Sequence, residues 1–188
     1  MYHFLIASLP ELLWGQLPEY TQEDFYASVE EALSTKVVKQ LQAWDKKNVA
    51  SVEASDDSEE ELPIDIAKIP VYAAFNEFED FLTGRIAKVR AEKLGIPFIN
   101  KESDAFFAEA EKAVQFASIE SNPIEREKML DLLRWRFLEE METGHMFDFD
   151  GLCIYKLKLS LLEKYRYRKA ELGKGNFNSA LKRVVNEE

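Results

Sequence analysis

From about Thr21 onward the apolar residues recur at intervals of three and four rather than two, and the punctuation between the runs is that of helix ends. That spacing restricts the chain to an all-α fold, a compact multi-helix bundle in one lobe or two. Thr21 followed by Asp24 has the pattern of a capping box, after which Phe25, Val29 and Leu33 share one face. A second helix is predicted from near Ser34, carrying Val37, Val38, Leu41 and Trp44. After Pro70 a long helix presents Phe75, Phe78, Leu82, Ile86 and Val89 as a single stripe and closes at Gly95 and Pro97. Gly84 inside this helix costs about 1 kcal/mol relative to alanine, which points to a close helix crossing or a local break.

A further helix is predicted from Ser103 or Asp104, with Phe106, Phe107, Ala110, Val114 and Ala117 inward. Asn122 and Pro123 then read as N-cap and first helical residue of a helix carrying Leu130, Leu133, Phe137, Leu138 and Met141, terminated by Gly144. The most apolar segment runs from Asp148 or Asp150 to about Gly173. Its two stripes (Leu152, Tyr155, Leu159, Leu162 and Ile154, Leu157, Leu161, Tyr165) lie nearly opposite one another, so this is the candidate central helix. A last short helix is expected from Asn176, with Phe177, Leu181, Val184 and Val185 inward. The start of the chain, with Tyr2, Phe4 and Ile6, is too short to separate a strand from a buried helical turn.

With 188 residues, 46% of them hydrophobic, the chain has material for one sizeable core, and residues 1–188 are read as a single helical domain. No run approaches the roughly 20 apolar residues needed to cross a bilayer. Phe4 to Leu9 lacks a preceding basic residue and stops at Pro10, unlike a signal peptide, and reads as part of the mature fold. Between Lys47 and Lys68 there is no basic residue, while Glu53, Asp56, Asp57, Glu59, Glu60 and Glu61 crowd one short polar tract, so residues 51–64 are expected to form an acidic loop or linker. A functional alternative for that tract is a tether for a basic partner surface.

The net charge of −11 argues against general nucleic-acid binding, because the surface repels phosphate. The single cysteine, Cys153, rules out an internal disulfide framework and a CxxC motif, fits a reducing cytoplasm, and reads as a small core residue. Gly173-Lys174-Gly175 lacks the spacing and the hydroxyl of a P-loop, and no GxGxxG or GxSxG occurs. One Glu-x-x-His spacing exists, Glu142 to His145, but a di-iron site needs two, and His3 has no glutamate before it. His145, Asp148 and Asp150 could ligate a metal, although aspartates ahead of a helix serve more simply as caps for its free amides. An EF-hand is rejected there, since setting Gly151 at loop position six puts Met146 and Leu157 at positions one and twelve. Glu139 and Glu140 are adjacent on a helix and diverge by about 100°, which suits a solvated face. No catalytic residue, metal ligand or cofactor site is therefore assigned.

Charge is segregated along the chain. From Lys156 to Arg183 nine basic residues stand against two acidic, whereas from Met1 to Leu62 four stand against thirteen. Either the acidic N-terminal part holds the basic C-terminal part, or the two dock different partners. On the second reading Lys164, Arg166, Arg168 and Lys169 are the candidate partner-binding residues.

Two runs carry a family resemblance: Tyr2-His3-Phe4-Leu5-Ile6-Ala7-Ser8-Leu9-Pro10, and Phe147-Asp148-Phe149-Asp150 with Leu152, Tyr155 to Leu159, Leu161-Leu162-Glu163 and Gly173. They resemble the two ends of an uncharacterised bacterial family encoded within operons for V-type (V/A-type) ATP synthase. By implication the chain is similar to a stand-in for the C-type stalk protein of that enzyme (d-type in eukaryotes), the helical cup joining the rotor stalk to the membrane ring. The resemblance implies a non-catalytic structural or coupling subunit in ion transport, cytoplasmic and peripheral to the inner membrane through other V-type ATPase subunits. The C-type cup is longer and built from three similar lobes, whereas this chain shows no repeat. Other readings are a transient assembly or regulatory factor, an unrelated helical interaction protein, or a small enzyme with a metal at His145, Asp148 and Asp150.

Overall fold

The computed structural model describes residues 2–49, 65–98 and 107–166. The predicted acidic loop at 51–64, the positions 103–106 and everything beyond Arg166 lie outside the described residues. Among the described residues there are seven α-helices and no strand: α1 Tyr2–Ser8, α2 Gln22–Ala32, α3 Thr35–Val49, α4 Pro70–Leu94, α5 Ala108–Ile119, α6 Pro123–Glu142 and α7 Phe149–Arg166, with a 3-10 turn at Ile66–Lys68 ahead of α4. No described helix is long and apolar enough to cross a membrane.

The helix boundaries follow local chemistry. Thr21 accepts from the Asp24 amide while the Asp24 carboxylate accepts from the Thr21 amide, so the capping box opens α2 by satisfying two orphan donors. Asn122 accepts from the Ile124 amide and Pro123 follows, opening α6. At the far end of α4 the Ile96 amide bonds back to the Ala91 carbonyl, with Gly95 left-handed at φ +67°, a closure that favours glycine.

The core is one cluster centred on α7, which packs against α1, α2, α4 and α6. Leu152, Ile154, Leu157, Leu159, Leu161 and Leu162 are all buried, so both predicted stripes are covered. Helix α4 contributes Val71, Tyr72, Phe75, Phe78, Phe81 and Leu82. An aromatic stack joins it to α6: the Phe78 and Phe137 rings lie 4.3 Å apart and nearly parallel.

The N-terminal segment, open in the sequence between a strand and a buried helical turn, is a helix: Leu5 is buried while Tyr2, Ile6 and Leu9 lean on the core at helical spacing. Two expectations need correction. The fifth helix begins at Ala108 rather than Ser103 or Asp104. Phe107 precedes it in extended backbone, with its ring edge-on to Phe78 and Phe137 at 5.3 and 5.8 Å. Gly84 marks neither a break nor a close crossing, since α4 runs through it and an added methyl would meet no atom within 4 Å.

Gly151 is the glycine that packing requires. A methyl there would lie 2.0 Å from the His145 carbonyl oxygen, where the loop from α6 folds over the first turn of α7. The same substitution should therefore have opposite signs at two helical sites. Gly84→Ala should raise stability by up to about 1 kcal/mol, and Gly151→Ala should lower it by about 1–3 kcal/mol through the forced backbone shift; urea denaturation of both variants checks the pair.

Candidate functional site

The basic residues of α7 are candidates for a docking surface, and the fold turns the described ones inward. Lys156 is fully buried and bonds Asp45 of α3, whose other oxygen accepts from the Tyr26 hydroxyl at 2.6 Å. Burial pushes the Lys156 ammonium below its usual range even beside that carboxylate. Lys158, also buried, reaches Glu142 at 2.5 Å, and its ammonium sits 5.1 Å from the centre of the Trp135 ring. Lys164 holds Asp131 at 2.7 Å and Glu127 at 3.4 Å, while Arg166 donates to the Pro18 carbonyl. Arg168 and Lys169 lie outside the described residues. Lys164 and Arg166 thus act first as internal ties, and counting Lys156 and Lys158 into a basic surface is corrected, because both stand inside the apolar core.

Asp131 is the centre of this arrangement. It is fully buried on α6 and accepts from Lys164, from Arg134 at 2.9 Å and from the Tyr165 hydroxyl at 2.8 Å. Arg134 also forks onto both oxygens of Glu79 on α4, at 2.6 and 3.1 Å. One carboxylate therefore joins α6 to α7 directly and to α4 through a guanidinium.

The second feature is a surface made by α1 and the loop that leads into α7. The Tyr155 hydroxyl of α7 donates to the Pro10 carbonyl at 2.9 Å, the Tyr2 ring lies 6.2 Å from Phe149, and His3 lies 4.8 Å from Phe147. Beside these contacts Phe4 is 79% exposed, Met146 64% and Phe147 50%, an apolar group rimmed by His3. Sequence reading passes over Met146 and Phe147 as site residues, since their exposure depends on how the loop before α7 folds.

His145, Asp148 and Asp150 stand in that same loop. Asp148 caps α7 by accepting from the Gly151 amide at 2.8 Å, and its other oxygen bonds His145 Nδ1 at 2.7 Å, with Asp150 3.9 Å from the same nitrogen. The bond to Asp148 raises the His145 pKa. Burial pushes the Asp148 carboxyl up, but the Gly151 amide and His145 outweigh it and the net shift is downward. Among the described residues no group of three or more His, Cys, Asp or Glu side chains is placed to hold a metal ion. Cys153 is fully buried, which pushes its thiol up to about 12 and leaves little nucleophilic thiolate near neutrality.

A protein family described as a protein of unknown function (DUF2764) matches residues 103–188. The match takes in α5, α6 and α7 and leaves α1 to α4 outside it. Neither a curated protein nor a solved structure matches the chain.

Two outcomes follow from this geometry. Asp131→Ala leaves Lys164, Arg134 and Tyr165 without their shared acceptor and should cost about 3–5 kcal/mol in denaturant unfolding, whereas Glu125→Ala on the surface should stay within about 0.5 kcal/mol. A histidine whose pKa rises on folding adds stability that is complete below its unfolded value of about 6.5 and is lost as pH rises through the folded value. In an NMR titration His145 should therefore titrate above a free histidine, and Asp148→Asn should bring it back down.

Proposed function

We propose that the protein is a non-catalytic structural or coupling subunit of a V-type ATP synthase, a stand-in for the C-type cup that docks on other proteins of the central stalk or membrane ring. The observation that carries this reading is the meeting of the two sequence runs on which the resemblance rests. Tyr2 to Pro10 and the stretch from Phe147 are separated by more than a hundred residues, yet they touch through Tyr2 with Phe149, His3 with Phe147 and Pro10 with Tyr155. Within these runs Leu5 and the leucines of α7 pack in the core, while Phe4 and Phe147 flank His3 at the surface.

The chemistry of that surface suits docking within an assembly. Phe4, Met146 and Phe147 offer aromatic and thioether area that water solvates poorly, and His3, beside Phe4 and Phe147, supplies a polar rim. The buried ion pairs of α7 hold the surface on a stiff body, the property a coupling element needs to transmit a load. On this reading the protein resides in the cytoplasm, at the membrane only through its partners.

The test is purification of the intact ATPase from detergent-solubilised membranes of the source organism, with this chain quantified against the catalytic subunit by mass spectrometry. A fixed near-stoichiometric ratio that survives stringent washing is expected. Absence from an intact, active complex would overturn the proposal and leave a transient assembly factor or an unrelated interaction protein. Phe4→Glu combined with Phe147→Glu should lower co-purification by about tenfold or more without loss of helicity, because both side chains point to solvent.

A further inference from the structure

A second apolar surface lies on the hairpin of α5 and α6. Met129 stands at its middle, between a groove of about 410 Å³ lined by Trp14, Leu17, Leu162 and Tyr165 and two hollows on the α5 side. One hollow, of about 340 Å³, is lined by Ala113, Leu132 and Leu133 and edged by Glu109, Lys112 and Arg136. The other, of about 320 Å³, lies among Ile119, Glu120 and Ser121. Phe116 and Met129 line both hollows and so divide them. Phe116 is 65% exposed and Ile119 80%, an apolar patch of the kind that marks an interaction site.

We infer that this face pairs with the same face of a second copy of the chain, the two hairpins running antiparallel about a two-fold axis at Phe116. Two properties of the face lead there, and both reverse from one end to the other. The first is charge. Lys112, Phe116 and Glu120 follow one another at four-residue spacing along one stripe of α5. At the Lys112 end, Lys112 and Arg136 stand against Glu109; at the Glu120 end, Glu120 and Glu125 stand against Lys128. Among the described residues no ion pair engages Lys112 or Arg136, and the Glu120 carboxylate accepts from the Asn122 amide at 2.8 Å. The second property is shape. Ile119 projects at the acidic end, whereas the hollow of Ala113, Leu132 and Leu133 lies at the basic end.

A face whose two ends complement each other fits a copy of itself turned end for end. Lys112 of each copy then meets Glu120 of the other, Ile119 enters the opposite hollow, and Phe116 meets its own image on the axis. A partner of another kind would have to complement the face, but nothing would require the ends of the face to complement each other. The inference does not rest on the ATPase assignment, and it uses residues separate from the patch at Phe4 and Phe147.

The experiment is sedimentation velocity of the purified full-length chain over about 1–300 μM. Monomer should convert to dimer as concentration rises. Phe116→Asp should raise the dissociation constant at least about tenfold with an unchanged circular dichroism spectrum, since that side chain points to solvent. Lys112→Glu and Glu120→Lys should each weaken pairing by about fivefold, and the two combined in one chain should restore most of it. That rescue is specific to two copies, because eight residues lie outside the i,i+3 and i,i+4 spacing at which a helix pairs its own charges. A monomer at every concentration would overturn the inference. So would a double reversal that pairs no better than either single one, or a dimer lost through Phe4→Glu with Phe147→Glu and kept in Phe116→Asp, which would put the contact on the other patch.

Discussion

A helix buried on two sides must find partners for every charge it carries, and α7 carries four basic residues within its described length that the fold pairs from different directions. Lys156 meets Asp45 of α3, Lys158 meets Glu142 near the end of α6, Lys164 meets the buried Asp131, and Arg166 meets the Pro18 carbonyl. Each pairing works in one rotational setting of α7 only, because moving the helix by one residue turns it by about 100° and strands the ammonium groups in apolar surroundings. Apolar packing accounts for burial of the helix, and its ion pairs fit this one rotation and register.

That rotational setting has consequences for both surfaces. It aims Tyr155 at Pro10 and so clasps α1 onto the start of α7, which brings Phe4 and Phe147 to one face. It also turns Leu162 and Tyr165 toward Trp14 and Met129, forming the floor of the groove. Both apolar surfaces therefore depend on how this single helix is set in the bundle. Gly151 belongs to the same arrangement, since only a residue without a side chain lets the loop carrying His145 lie over the first turn.

Much of the helical order is legible in the sequence, for reasons local to a few residues. Thr21 with Asp24, and Asn122 with Pro123, mark helix starts because their side chains satisfy amides two or three residues away. The central helix is legible because two opposed apolar stripes have no other economical arrangement. The N-terminal helix is not, since seven residues give too few repeats to distinguish periods of two and 3.6. Gly84 misleads because a conformational cost suggests a packing reason, and the helix simply carries it. The proposed docking face is half visible: the Tyr2 to Pro10 and Phe147 to Asp150 runs are recognisable as strings, but nothing in either one discloses that it touches the other.

The sequence by itself determined the all-α class, the main helix starts and stops and the position of the central helix, because each depends on interactions within a turn or two of the backbone. Tertiary structure alone decided the fate of the charges. Lys156 and Lys164 look equivalent as letters in a basic run, yet one is sealed in the core and the other lies at its margin. The difference arises from carboxylates at positions 45 and 131, whose proximity depends on how α3 and α6 pack, and no local pattern encodes a contact across so long a stretch of chain.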